Sequence, residues 1–177
     1  STFSSKRRNE IRKVTLSGFQ NQRLTAADFN TRKHDVYQIH KSKSVRQGEM
    51  KSSYLEFPED EPILSCDYHN YLYYGSFSGD NNMAGYIKMA ICGDIADCIA
   101  LFGHGFYMQK YDIMRSLWTF MVVDLIQNFR RISLVSYDLP DAGGDGLRTW
   151  KESVGLRPVY LRLVVPSSLN DNSVRKG

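Results

Sequence analysis

Only three cysteines occur in the 177 residues, Cys66, Cys92 and Cys98, an odd number without the paired spacing of a zinc site. Two of them sit inside apolar strand patterns, so the thiols are expected to be reduced and mostly buried, as small hydrophobes. No apolar run approaches the roughly 18–20 residues of a membrane-spanning helix, because Lys110, Asp112, Arg115 and Asp124 interrupt the most apolar region. The opening STFSSKRRNEIRK lacks the apolar stretch of a secretory signal, and with reduced thiols the expected location is the cytoplasm. Neither a Gly-x-Ser-x-Gly elbow nor a Walker-type phosphate loop is present. His34 and His40 stand too far from other donors to argue for a metal, and none is expected. Internal repeats and low-complexity segments are absent as well.

What is there is ordinary for one substantial globular core, with one local charge feature. Lys6, Arg7, Arg8, Arg12 and Lys13 face a lone Glu10, a net +4 that equals the charge of the whole chain. The basic character therefore belongs to an arm at 6–13, suited to RNA phosphates, and the rest of the surface is formally neutral.

Residues 83–124 form the centre of the pattern. Two apolar runs flank Gly93-Asp94, a hairpin signal, because glycine tolerates positive φ and aspartate bonds to its own turn. A Gly103-His104-Gly105 loop follows and feeds a helix from Ile113 whose apolar positions wrap most of its circumference. Such a helix is expected to lie buried on a sheet, with its N-terminal N–H groups available to an anion.

The other elements follow by the same rules. A helix over 6–16 turns Ile11 and Val14 inward and stops at Gly18; a short strand covers 19–24. Thr25 caps a second helix with Phe29, Val36, Tyr37 and His40 inward. Residues 45–57 read as a weak helix or loop, and the tyrosine-rich 68–77 reads as a strand closed by Ser-Gly-Asp-Asn-Asn. A strand over 131–137, a short helix over 147–154 stopped by Gly155, and an alternating strand over 159–165 complete the plan. Three units are expected: a basic helix at 1–18, a domain at 19–165 and a flexible tail at 166–177.

This order is a mixed α/β plan with an antiparallel front half, and it resembles the GNAT acyltransferase superfamily over most of 19–165. The segments SSKRRNEIRKVTLSGF, RQGEM…Tyr54 and LRTWKESVGLRPVY make the chain look most like the FemABX-type and uncharacterised GNAT-like branches. The resemblance implies a GNAT-like, mainly antiparallel sheet flanked by helices, an activated acyl donor such as acyl-CoA or aminoacyl-tRNA, and an amine acceptor. It also implies a Gln/Arg-x-x-Gly-x-Gly/Ala loop on the coenzyme pyrophosphate, because glycines let backbone amides close on phosphate oxygens. The matching stretch here begins at Gln109, and Asp112 stands where the first glycine should be. That carboxylate repels a pyrophosphate unless Lys110 and His104 offset it; alternatively Asp112 is a plain N-cap. The late tyrosine of many GNAT enzymes falls on Lys151, as in FemABX proteins, where the resemblance implies contact with acceptor or donor phosphate.

Candidate catalytic residues are thus His104, a base with a near-neutral pKa between two glycines; Lys151; and Tyr137, at the strand end beside Asp138. Phe102, Gly103, Tyr107, Gln109 and Lys110 are the candidate donor-binding residues. Arg46, Tyr54 and Trp150 are assigned to the acceptor, Arg46 because its planar fork suits a carboxylate or phosphate. The expected activity is acyl or aminoacyl transfer to an amine, and it is tied to a V-shaped opening between the strands at 84–92 and 95–103. The alternative is a degenerate GNAT-like module that binds protein or nucleic acid and catalyses nothing.

Overall fold

The structure, a computed structural model, describes residues 5–43, 52–63, 66, 69–139 and 144–160. Helix α1 (Ser5–Leu16) buries Val14 and half-buries Ile11, and it ends where Gly18 takes φ +86°, a conformation open to glycine without a Cβ clash. Strand β1 (Gln20–Leu24) leads to Thr25, whose hydroxyl accepts from the Asp28 N–H while Asp28 accepts from the Thr25 N–H. This reciprocal cap starts α2 (Ala26–Asn30). The helix does not run on to His40: Thr31 donates its hydroxyl to the Asp28 carbonyl, and a separate α3 (Lys33–Lys41) begins after the break. Phe29, Val36 and His40 point inward as the pattern requires, Tyr37 is half-buried, and Ile39 is fully buried.

Strands β2 (His69–Phe77), β3 (Met83–Cys92) and β4 (Ile95–Gly103) form an antiparallel meander, and β5 (Leu134–Ser136) joins parallel to β4. The sheet order is β1-β2-β3-β4-β5, a mixed and mainly antiparallel sheet flanked by helices. Gly93, at φ +62°, makes the expected β3–β4 hairpin, and Asn81, at φ +61°, makes the β2–β3 turn. After β4 come a short α4 (Gly105–Lys110) and the long α5 (Ile113–Asn128); α6 (Asp145–Ser153) stops at Gly155, φ +93°.

The two faces of the sheet carry different covers. On one lies α5, eight of whose residues are buried against Tyr74, Ile87, Met89 and Ala96. On the other, α2 and α3 pack Phe29, Val36 and Ile39 against Tyr73, Phe77 and Tyr86. Asp124 of α5 clasps the sheet edge, accepting from the Tyr74 hydroxyl at 2.9 Å and from Arg23 at 3.1 Å. Among the described residues, no helix is long and apolar enough to cross a membrane.

Several expectations are corrected. The strands at 84–92 and 95–103 do not part: they pair from Gly85↔Gly103 to Cys92↔Ile95. A tight two-residue turn closes one end, and matched apolar alternation holds the register. The helix at Ile113 is not fed directly by the Gly-His-Gly loop, because α4 intervenes. Strand 131–137 shrinks to three residues, since Asp138 turns the chain away at φ +54° with its carboxylate accepting from the Leu139 N–H. Residues 159–160 are exposed and not in a strand, and 161–165 lie outside the described residues. Of the cysteines only Cys98 is buried; Cys66 lies outside any strand, and Cys92 points outward at the last residue of β3.

The packing of α5 sets an expected contrast. Leu117→Ala, at a fully buried position, is expected to cost about 3 kcal/mol in urea unfolding, and Ile126→Ala, on the exposed face, under about 0.5 kcal/mol. Equal costs at the two positions would contradict the packing.

Candidate functional site

β4 is paired on both sides only at its beginning. Its parallel partner β5 follows it through Ile95↔Leu134, Ala96↔Val135 and Asp97↔Ser136, and then leaves. From Cys98 to Leu101, roughly 10–13 Å of strand, no described residue pairs with the outer edge of β4. The parting expected within the β3–β4 pair is absent; among the described residues it is the β4–β5 pairing that ends, at Asp97↔Ser136. Lys88 pairs with Ala100 and Met89 with Cys98, so Ile99 is an extra residue with no opposite number on β3. A bulge of this kind leaves backbone groups outside the ladder, where a ligand can meet them.

Ile99 and Ala100 also line a cavity of about 390 Å³ between the sheet and the α2–α3 layer. Its wall includes Phe29, Val36 and His40, and its roof is the segment around Tyr54 to Glu61. Paired bonds hold the roof: the Asn30 side chain donates to the Glu61 carbonyl at 3.1 Å and accepts from the Glu61 N–H at 2.7 Å. Lys33 reaches Asp60 at 2.8 Å. Glu61 thus projects its carboxylate at fixed height over β2 and β3, where it accepts from the Tyr73 hydroxyl at 3.1 Å and from Lys88. The Lys88 ammonium also lies 4.3 Å from the Tyr71 ring centre, so a charge in mid-sheet is both paired and faced by an aromatic surface. Burial, and then the adjacent Glu61 charge, push the Tyr73 phenol well above its ordinary range.

Deeper in the same wall, His40 bridges Tyr54 and Tyr86. A carbonyl can only accept, so Nδ1 carries the proton given to the Tyr54 carbonyl at 3.0 Å. In the neutral ring, Nε2 then accepts from the Tyr86 hydroxyl at 2.7 Å. The ring is 4% exposed and packs edge-on to Phe102.

The sequence-predicted residues fall into three groups. Phe102 and Tyr54 meet at 5.0 Å beside His40 and Tyr86. His104 precedes α4, its N–H donating to the Ala84 carbonyl at 2.8 Å and its ring 5.3 Å from Tyr107; Gln109 and Lys110 are exposed on α4. Gly103 is required by packing, because a Cβ there would meet the Met108 and Met114 sulfurs at 2.8 Å. Tyr137, Trp150 and Lys151 gather on the α5 side with Trp118: Trp150 lies 6.2 Å from Tyr137, and the buried Lys151 ammonium sits 5.1 Å from the Tyr137 ring and donates to the Leu139 carbonyl at 2.7 Å. Tyr137 leaves β5 level with Cys98, so His104 lies some 20 Å further along β4. Arg46 lies outside the described residues. Sequence reasoning missed Glu61 and Lys88. The available signal was a lysine at the middle of GYIKMAIC, which needs a buried partner; Glu61, in the run EDEP, read only as turn acid.

No protein-family model matches the chain, and no curated protein does. Solved structures do match in shape. A tandem GNAT protein of the clavulanic acid biosynthesis pathway is 16% identical with a TM-score of 0.51; the match covers 77% of this chain and 43% of that one. An acetyltransferase of Trypanosoma brucei is 10% identical at TM-score 0.50, covering 84% of this chain and 99% of that one. The tetramutant of a Bacillus halodurans protein is 11% identical at TM-score 0.52, covering 83% and 99%. The fold is GNAT-like.

A GNAT-like fold implies coenzyme A, and the start of α5 does not suit its pyrophosphate. Asp112 stands there as N-cap, 2.6 Å from Arg115, and Glu10 of α1 takes the same guanidinium at 3.1 Å. Two carboxylates thus share one cation at the start of this helix. Burial pushes the Asp112 carboxyl above its usual range, against the pull of Arg115.

Burial also raises the phenols of Tyr74 and Tyr137 beyond the range of an exposed tyrosine. With folded values above the unfolded value of about 10, the stability these groups contribute is complete below that pH and is lost as pH rises further. In a phenolate absorbance titration of the 11 tyrosines, those at 73, 74 and 137 are expected to ionise only as the circular dichroism collapses. Ionisation of all of them with the fold intact would contradict their burial.

Proposed function

We propose that this chain transfers an acyl or aminoacyl group to an amine, with the activated carbonyl lying along the open edge of β4 at Ile99 and the amine entering from the Glu61 cavity. One observation carries the reading: Ile99 and Ala100 belong both to the stretch of β4 whose outer edge no described residue pairs and to the cavity wall, so one short segment touches both compartments. Backbone N–H groups freed by the bulge are suited to the oxygen of a tetrahedral intermediate, and confinement of the two reactants accounts for most of the rate gain. Glu61 is the group that takes the ammonium proton, held by Asn30 and relieved of repulsion by Lys88. The amine nitrogen then bonds to the carbonyl carbon; as the bond to the leaving group breaks, the leaving group takes up a proton and the nitrogen gives up its second proton, which restores the proton donor. Tyr137, kept neutral by burial, is suited to donating that proton and not to accepting one.

The finer assignments follow the same division. Tyr54 and Arg46 belong with the acceptor, and Phe102, Gly103, Tyr107, Gln109 and Lys110 with the donor. The FemABX-type likeness and an aminoacyl-tRNA donor rest on the sequence match at Trp150-Lys151 and Gly155-Leu156 alone. A second reading, a module that binds protein or RNA without catalysis, is favoured by the carboxylates at the start of α5 and by the exposed Arg12 and Lys13 of the basic arm.

The test is mass spectrometry of amine panels incubated with acetyl-CoA, acyl thioesters of simple thiols, and aminoacyl-tRNA. Transfer from at least one donor is expected, falling at least about 100-fold in Glu61→Gln with an unchanged fold by circular dichroism. No product from any donor, together with salt-sensitive RNA binding, would replace the transferase with the second reading.

A further inference from the structure

Helix N-termini attract phosphate because their first N–H groups lack partners inside the helix and the dipole is positive there. At the start of α5 the N-cap is itself a carboxylate, Asp112, paired with Arg115 and not bonded to the helix amides. We infer that this terminus is closed to a diphosphate by the Asp112–Arg115–Glu10 cluster that docks α1, and that any acyl donor is therefore one whose recognition does not use a pyrophosphate at this helix.

Charge gives the first support. The Arg115 Nη1 is held by Asp112 at 2.6 Å and by Glu10 at 3.1 Å, and its Nη2 donates to Ser153 Oγ at 3.2 Å, so the guanidinium is engaged by α1, by the helix start and by α6. Two acids on one base leave this three-residue cluster with a net charge of −1, which opposes a diphosphate placed directly against it. Shape gives the second. A phosphate cradle needs bare backbone, yet both small-residue positions of the matching loop carry longer side chains, Asp112 and Met114. Met114 is 4% exposed, and its sulfur packs so close to Gly85 and Gly103 that a Cβ on either would meet it at under 3 Å. Anchoring gives the third. Phe19, just after α1, packs 5.0 Å from Tyr111 and 5.5 Å from Tyr107, and Val14 is buried in the same core, so α1 is fixed over the turn that would have to move.

The inference holds whether or not the chain transfers acyl groups, and its test reads binding alone. Calorimetry of the full chain with coenzyme A, ADP and inorganic pyrophosphate up to about 1 mM is expected to give no saturable heat. The double variant Glu10→Gln, Asp112→Gly is expected to bind pyrophosphate at least about tenfold more tightly than the parent, with the fold retained by circular dichroism. Saturable binding of coenzyme A to the parent, competed by ADP and weakened by Lys110→Ala, would overturn the inference and leave the transferase reading standing. A folded double variant that gains nothing would also overturn it, since the two carboxylates would not then be what closes the site. Absent pyrophosphate binding in the parent, gained in the variant, alongside transfer from aminoacyl-tRNA, supports both readings.

Discussion

The arrangement of this protein depends on how far β4 is hydrogen-bonded. Along its whole length it is zipped to β3, and along only its first three residues it is zipped to β5. Backbone groups left unpaired inside a protein are costly, so an open edge persists only where water or a ligand can meet it. Asp138, by turning the chain out of the sheet in a left-handed conformation, ends the parallel pairing and sets the length of that edge. The bulge at Ile99 then falls inside the open stretch, next to the cavity on the α2–α3 side.

The two faces of the sheet divide the work of stability and chemistry. The α5 face is an almost continuous apolar contact, closed at one end by Tyr137, Trp150 and the buried Lys151, whose ammonium is satisfied by a carbonyl and an aromatic face. The opposite face admits polar groups, each with a partner: Glu61 with Lys88 and Tyr73, and His40 with Tyr54 and Tyr86. Clusters of this kind contribute little net stability but fix side-chain positions, because leaving any member unpaired is expensive.

Much of the scaffold was legible from residue order. Turn chemistry marked Gly18, Gly93 and Gly155, the Thr25–Asp28 pair marked a helix start, and the wrapped apolar pattern after Ile113 marked a buried helix; all act within a few residues of themselves. Strand partnering is different. The pattern around Ile99 shows that a strand is there, but how far β5 follows it depends on the length of β5, which a single turn residue 39 positions away, Asp138, decides. The expectation of a wedge between β3 and β4 was therefore wrong. The site divided in the same way. Phe102 and Tyr54 do meet, whereas Glu61 was hidden in a run of acids, since nothing local distinguishes a carboxylate pinned by Asn30 from one in water. The two reciprocal bonds that distinguish it span 31 residues.

Those reciprocal Asn30–Glu61 bonds have a consequence for how the cavity could be retuned. They join loop backbone to the last residue of α2, so the height of the acid above the sheet is inherited from a helix whose start is locked by Thr25 and Asp28. The neighbouring roof positions Glu56 and Glu59 are exposed and carry no such tie among the described residues. Substitutions there can reshape the mouth of the chamber, and with it the size and charge of what is admitted, while the carboxylate at its centre stays in place.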